Sequence, residues 1–169
     1  MAILSSAYFA ADSRMLAPDL LGKLLCRSTA AGIQRRRITE TEIYYGTEDT
    51  ACHASHGRTL RTEVMYHAGG VAYVYHCHMF DLLNLVTGPA EHPECVLIRG
   101  VEGFLGPGRL SKAMDITRAL NGLPLTPESG LWIEYDGMRP KYTAAPRIGI
   151  MSAAPVDRER PWRFTVSQT

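Results

Sequence analysis

Apolar and polar positions change period several times along the chain, and each change predicts an element. Residues 12–22 repeat at helical spacing, with Leu16, Leu20 and Leu21 on one side, Asp12 or Ser13 placed as cap and Gly22 as terminator. Residues 24–27 and 35–45 read as strands joined at Ala30-Ala31-Gly32, a predicted hairpin. A turn-rich loop over 46–70 leads into a strand over 71–78, on which Tyr73, Tyr75 and Cys77 share a face. Residues 95–101 alternate Cys95, Leu97 and Arg99 with Val96 and Ile98. Gly106-Pro107-Gly108 opens a helix predicted to carry Leu110, Ala113, Met114, Thr117 and Leu120 before Asn121-Gly122 stops it. Short strands follow at 131–135, 147–151 and 163–166. Strands outnumber helices and most connections are too short for helical crossovers, which predicts an α+β fold with a mixed or antiparallel sheet. A length of 169 residues, 46% of them hydrophobic, suits one domain.

Alternation along 35–45 places Glu40, Glu42 and Tyr44 on one face. Glu is depleted in strands, and like charges two positions apart repel, so a functional site is one reading. Glu42 is then a general base that aims a water. The other reading pairs Glu40 and Glu42 with Arg35 and Arg37 as an exposed charged strand. Tyr44, Tyr73 and Tyr75 suit either a stacking box for a planar ligand or the core. His53, His56, His76 and His78, with Cys52 and Cys77, offer metal donors but lack H-E-x-x-H or paired C-x-x-C spacing, so no metal is expected. No G-x-S-x-G elbow is present either, which leaves water and a carboxylate to carry the chemistry. The Gly106 to Lys112 stretch reads as a phosphate cradle or as a plain helix cap.

Composition narrows the partners. The net charge of +1 conceals three lysines, Lys23, Lys112 and Lys141, beside fifteen arginines. Arginine suits phosphate, yet a near-neutral total excludes a diffuse electrostatic binder and confines any nucleic-acid contact to a local patch. Four cysteines without C-x-x-C spacing and no secretory signal fit reduced thiols in the cytoplasm, and no apolar run reaches the roughly 20 residues that span a bilayer.

Glu40-Thr41-Glu42-Ile43-Tyr44, Glu48-Asp49, Ala51-Cys52-His53, Arg61, Met65-Tyr66, Tyr73-Val74-Tyr75, Asn84, Cys95-Val96-Leu97-Ile98-Arg99, Gly106-Pro107-Gly108 and Arg147-Ile148-Gly149-Ile150 follow one another in an order that resembles the alkyladenine (3-methyladenine, or methylpurine) DNA glycosylases. The resemblance reaches from the first helix through Pro161-Trp162-Arg163-Phe164. It implies a single domain over 1–169, built on a curved, mainly antiparallel sheet with flanking helices. The implied activity is monofunctional base-excision repair. Alkylated or deaminated purines are flipped out of double-stranded DNA and their N-glycosidic bond is hydrolysed, leaving an abasic site. 3-Methyladenine, 7-methylguanine, hypoxanthine and ethenoadenine are the candidate lesions.

By residue type, the resemblance makes Glu42 the group that deprotonates the attacking water and Arg99 its companion at the water or adjacent phosphate. Tyr44, His53 and Tyr75 enclose the flipped base, and Asn84 rejects the exocyclic amine of guanine. No cofactor, no membrane and a monomer in a bacterial cytoplasm complete the expectation. After the Tyr75 strand the family usually carries Tyr-Gly. This chain reads His76-Cys77-His78-Met79-Phe80-Asp81, one residue short, so the intercalating wedge falls to His78 or Met79. The loop over 58–61 is shortened as well. Two other readings remain at this level: a non-catalytic binder of damaged DNA, and a metal-dependent hydrolase using the histidines.

Overall fold

The alternating stretch that ends at Tyr45 folds as the spine of the sheet. In chain order the elements of the computed structural model are β1 (Ala2–Ile3), α1 (Ser6–Phe9), α2 (Ser13–Asp19), β2 (Leu24–Thr29), β3 (Gly32–Tyr45), β4 (Ala72–Cys77), β5 (Phe80–Val86), β6 (Glu94–Val101), β7 (Phe104–Leu105), α3 (Pro107–Ala113), β8 (Leu131–Tyr135), β9 (Tyr142–Ala145), α4 (Pro155–Glu159) and β10 (Arg163–Val166). The structure describes residues 1–168. Residue 169, the last of the 1–169 span expected to form one domain, lies outside them. The sheet runs β1-β8-β2-β3-β6-β5-β4, with β10 against β3 and β9 and β7 against β6. Every pairing is antiparallel, as expected for an α+β fold. No helix among the described residues is long and apolar enough to cross a membrane.

Period-two alternation gives the sheet two different faces. Ile43, Ala72, Val74, Leu83, Leu85, Val96 and Ile98 point to the main core with Phe9, Leu16, Ala17 and Leu20 of the N-terminal helices and Leu110 and Met114 beside them. Thr41 faces the same way and donates its hydroxyl to the Ala17 carbonyl at 2.7 Å. The intervening residues Tyr73, Val86 and Cys95 build a second cluster with Cys52, Ala54 and Met65 of the 46–70 loop, and Tyr44 and Tyr75 pack on it. Candidate chemistry therefore lies on the face away from the helices.

Three of the differences from the sequence expectation have a plain physical reason. The helix after Gly106 stops at Ala113, because Asp115 adopts φ +52° and the chain resumes as a single 3-10 turn over Arg118–Leu120. Leu110, Met114 and Leu120 are still buried, so two short segments satisfy one apolar pattern. The strand expected over 147–151 does not form; β9 pairs with β10 instead, and the Ile148 N–H is committed to the Glu42 carboxylate. Strand β5 was not predicted. From Leu83 to Val86 it is buried on both faces, so its sequence carries no alternation to read.

Between β4 and β5 the chain turns through His78 and Met79, with Cys77 paired to Phe80. His78 takes φ +56°, a conformation that favours glycine. Phe80 then packs on Gly108 at the start of α3, where an added Cβ would stand 2.5 Å from the ring Cγ and 3.0 Å from the Phe80 Cβ. Neither atom is the free end of a side chain. Gly108→Ala is expected to displace Phe80 and the turn beside it and to cost about 1–3 kcal/mol of stability. Denaturant unfolding measures the loss, and an unchanged midpoint would contradict this packing.

Candidate active site

Glu42 is fully buried, and three donors or cations converge on its carboxylate. The Tyr44 hydroxyl donates to Oε1 at 3.0 Å, the Ile148 N–H donates to Oε2 at 2.7 Å, and Arg99 Nη1 stands 3.6 Å from Oε1. Burial raises its pKa above the ordinary 4.5, and Arg99, the Ile148 N–H and Tyr44 oppose that rise only in part. Desolvation followed by the adjacent Glu42 charge drives the Tyr44 phenol upward, so Tyr44 is a neutral donor.

Glu40 holds two cations. Arg99 Nε and Arg163 Nη1 both donate to its Oε1 at 3.2 Å. Arg35 and Arg37 pair elsewhere, with Glu134 at 2.8 Å and Asp136 at 2.6 Å, which overturns the reading of Glu40 and Glu42 as an exposed charged strand. The β3–β6 ladder shifts register twice near these groups, between Ile38 and Glu40 and between Glu40 and Thr41. At the second shift Arg99 is the extra residue on β6, an irregularity that re-aims a side chain toward the carboxylates.

Next to Glu42 lies a narrow cavity lined by Tyr44, His53, Met65, Tyr73, Tyr75, Asn84 and Cys95. Four strands supply five of these side chains (Tyr44 from β3, Tyr73 and Tyr75 from β4, Asn84 from β5 and Cys95 from β6), and the 46–70 loop supplies His53 and Met65. His53 meets Tyr75 edge-on with ring centres 4.5 Å apart, and its Nδ1 is 2.9 Å from the Tyr73 hydroxyl. Burial pulls its pKa down to about 4, so the ring is neutral at physiological pH. Asn84 donates from Nδ2 to the Tyr73 carbonyl at 3.3 Å, while the Cys95 thiol approaches its Oδ1 at 3.6 Å.

From this cavity a groove of about 350 Å³ passes Arg99, Pro107 and Ile148 to the hairpin tip at His78 and Phe80. Met79 at the tip is 85% exposed and stands apart from the cavity. The histidine cluster that the alternative metal-hydrolase reading requires does not assemble. His53 is engaged with Tyr73, His76 with Asp81 at 2.8 Å, and His78 leaves the strand at the turn, so it does not share a strand face with His76. Among the described residues no three His, Cys, Asp or Glu side chains come within reach of one metal ion.

One residue that shapes the site, Arg147, stands in a matching motif but receives no role from the sequence reading. Arg147 is buried and pairs with Asp49 at 2.6 and 2.9 Å while donating to the Ile43 and Asp157 carbonyls. It thereby fixes the segment whose next residue, Ile148, caps Glu42. The signal was present, since an arginine in the apolar run Arg147-Ile148-Gly149-Ile150 needs a buried partner.

The family profile described as methylpurine-DNA glycosylase (MPG) matches residues 7–105 and 103–169. Among curated proteins, one from Psychrobacter cryohalolentis is 43% identical over 88% of this chain and 84% of its own length. One from Methanocella arvoryzae is 41% identical over 97% and 92%, and one from Sodalis glossinidius 39% identical over 96% and 95%. All three carry the provisional name 3-methyladenine DNA glycosylase. With the profile matched along nearly its whole length, the chain belongs to the methylpurine-DNA glycosylase family and is a DNA glycosylase for alkylated bases.

Proposed function

We propose that the protein flips a damaged purine out of double-stranded DNA and hydrolyses its N-glycosidic bond with a water activated by Glu42. The observation that carries this reading is a buried carboxylate at the edge of an aromatic cavity, with Arg99 beside it. Tyr44, His53 and Tyr75 enclose the base, and a neutral His53 adds no charge to that box. Asn84, anchored to the Tyr73 carbonyl, rejects the exocyclic amine of guanine by its bulk. The exposed turn at His78 and Met79 enters the gap left in the duplex.

The reaction passes through positive charge on the sugar, which a nearby carboxylate stabilises. The water oxygen bonds to the anomeric carbon, its proton passes to Glu42, and the pair of the broken C–N bond leaves with the base. Alkylation makes that base a good leaving group. Arg99, held by Glu40, positions the water or the neighbouring phosphate. No lysine takes part, so the product is an abasic site without strand cleavage. The enzyme acts in this reading as a monomer in the cytoplasm, needing no cofactor.

Glu42→Gln is expected to lower single-turnover excision of 3-methyladenine from a duplex by about 100- to 10,000-fold, the usual worth of a general base. Glu40→Gln should lose far less, and wild-type excision by Glu42→Gln would remove the assignment. The same variant tests the cost of burying the charge. The folded pKa of Glu42 is raised, so its favourable linkage is complete below about 4.5 and disappears as pH rises through the folded value. Glutamine keeps acceptance from the Ile148 N–H and contact with Tyr44. Its thermal midpoint should therefore exceed that of wild type at pH 7, with the gap closing under acid conditions. At the hairpin tip, Met79→Ala should weaken binding to lesion-bearing duplex without changing the thermal midpoint; unaltered binding would take Met79 out of the wedge.

A further inference from the structure

Three guanidinium groups lie around the aromatic cavity, and two are neutralised. Arg147 stands 5.1 Å from the Tyr44 ring centre but is locked to Asp49, and Arg99 is held by Glu40 and Glu42. Arg61 differs. Its guanidinium lies 5.2 Å from the Tyr75 ring centre, and the acids near its loop, Glu63 and Glu91, both pair with Arg58. Among the described residues no carboxylate lies within ion-pair distance of Arg61.

A cation on an aromatic ring is attracted by the ring's negative face. A second cation brought to that ring is repelled by the first charge. Damaged purines divide along this line, because alkylation at a ring nitrogen such as N7 leaves a positive base, whereas ethenoadenine and hypoxanthine are neutral. His53 does not offset the difference, since it is neutral and carries no countercharge. We propose that Arg61 is a specificity-determining residue that biases the base pocket, at the binding step, against cationic alkylated purines and towards neutral damaged ones. This rests on the base-pocket reading above. Cationic lesions then depend for their excision on the readiness with which the base departs, and neutral lesions on how well they are held.

The test measures dissociation constants of duplexes containing 7-methylguanine, ethenoadenine or no lesion, using Glu42→Gln protein with and without Arg61→Gln or Arg61→Lys. Arg61 is exposed, so the substitutions leave the core intact. Arg61→Gln should tighten 7-methylguanine binding relative to ethenoadenine by about two- to five-fold, the range for an exposed cation–π contact. Arg61→Lys should keep the parental ratio. Each variant is compared with its own parent, so differences in base shape cancel. An unmoved ratio, or equal weakening of all three duplexes as a plain phosphate contact would give, overturns the proposal. Should wild-type protein excise lesions while the ratio stays fixed, only the Arg61 role fails. If no damaged duplex is bound more tightly than the undamaged one, the base-pocket reading fails and this inference with it.

Discussion

The buried pair between Asp49 and Arg147 ties together parts of the chain that share no ladder. Asp49 also accepts the backbone N–H of Tyr45 at 3.0 Å and of Ala51 at 3.1 Å, which fixes the exit from β3 and the start of the 46–70 loop. Arg147 reaches the Ile43 and Asp157 carbonyls and stacks on Tyr44 and Trp162. Taking both charges out of water is costly, and a buried ion pair is weak evidence for stability as such. Its return here is positional. The pair sets Ile148 opposite Glu42, so this buried carboxylate receives a backbone donor that no regular strand would have directed at it.

Strand alternation does the remaining sorting. One face of β3, β4, β5 and β6 meets the helices with aliphatic side chains, while the other carries carboxylates, phenols and an amide under a loop. Apolar burial can therefore stabilise the fold through residues that never touch the site. The site face in turn holds a charge that burial disfavours, and Glu42 is tolerated because Arg99, Tyr44 and Ile148 surround it. Stability and chemistry draw on opposite sides of the same strands.

Much of this was legible in the sequence. The β2–β3 hairpin, the Glu40–Glu42–Tyr44 face and the alternation of Leu97 and Arg99 with Val96 and Ile98 follow from a period of two. Strand β5 was hidden because residues buried on both faces lose that period, and the helix after Gly106 was overextended because Asp115 breaks the backbone without breaking the apolar pattern. Arg147 lies in a run apolar enough to imitate a strand. Its partner Asp49 is nearly a hundred positions away, and no local pattern links them.

The sequence by itself determined which residues share a strand face, which faces are apolar, and which acid stands beside which tyrosine, because these depend only on local backbone geometry. The tertiary structure decided everything that requires distant segments to meet. It assigned Arg99 and Arg163 to Glu40 and freed Arg35 and Arg37 for Glu134 and Asp136. It also dispersed the histidines and turned Ile148 towards Glu42. A charge chooses its partner by distance and burial, and neither quantity exists until the chain has folded.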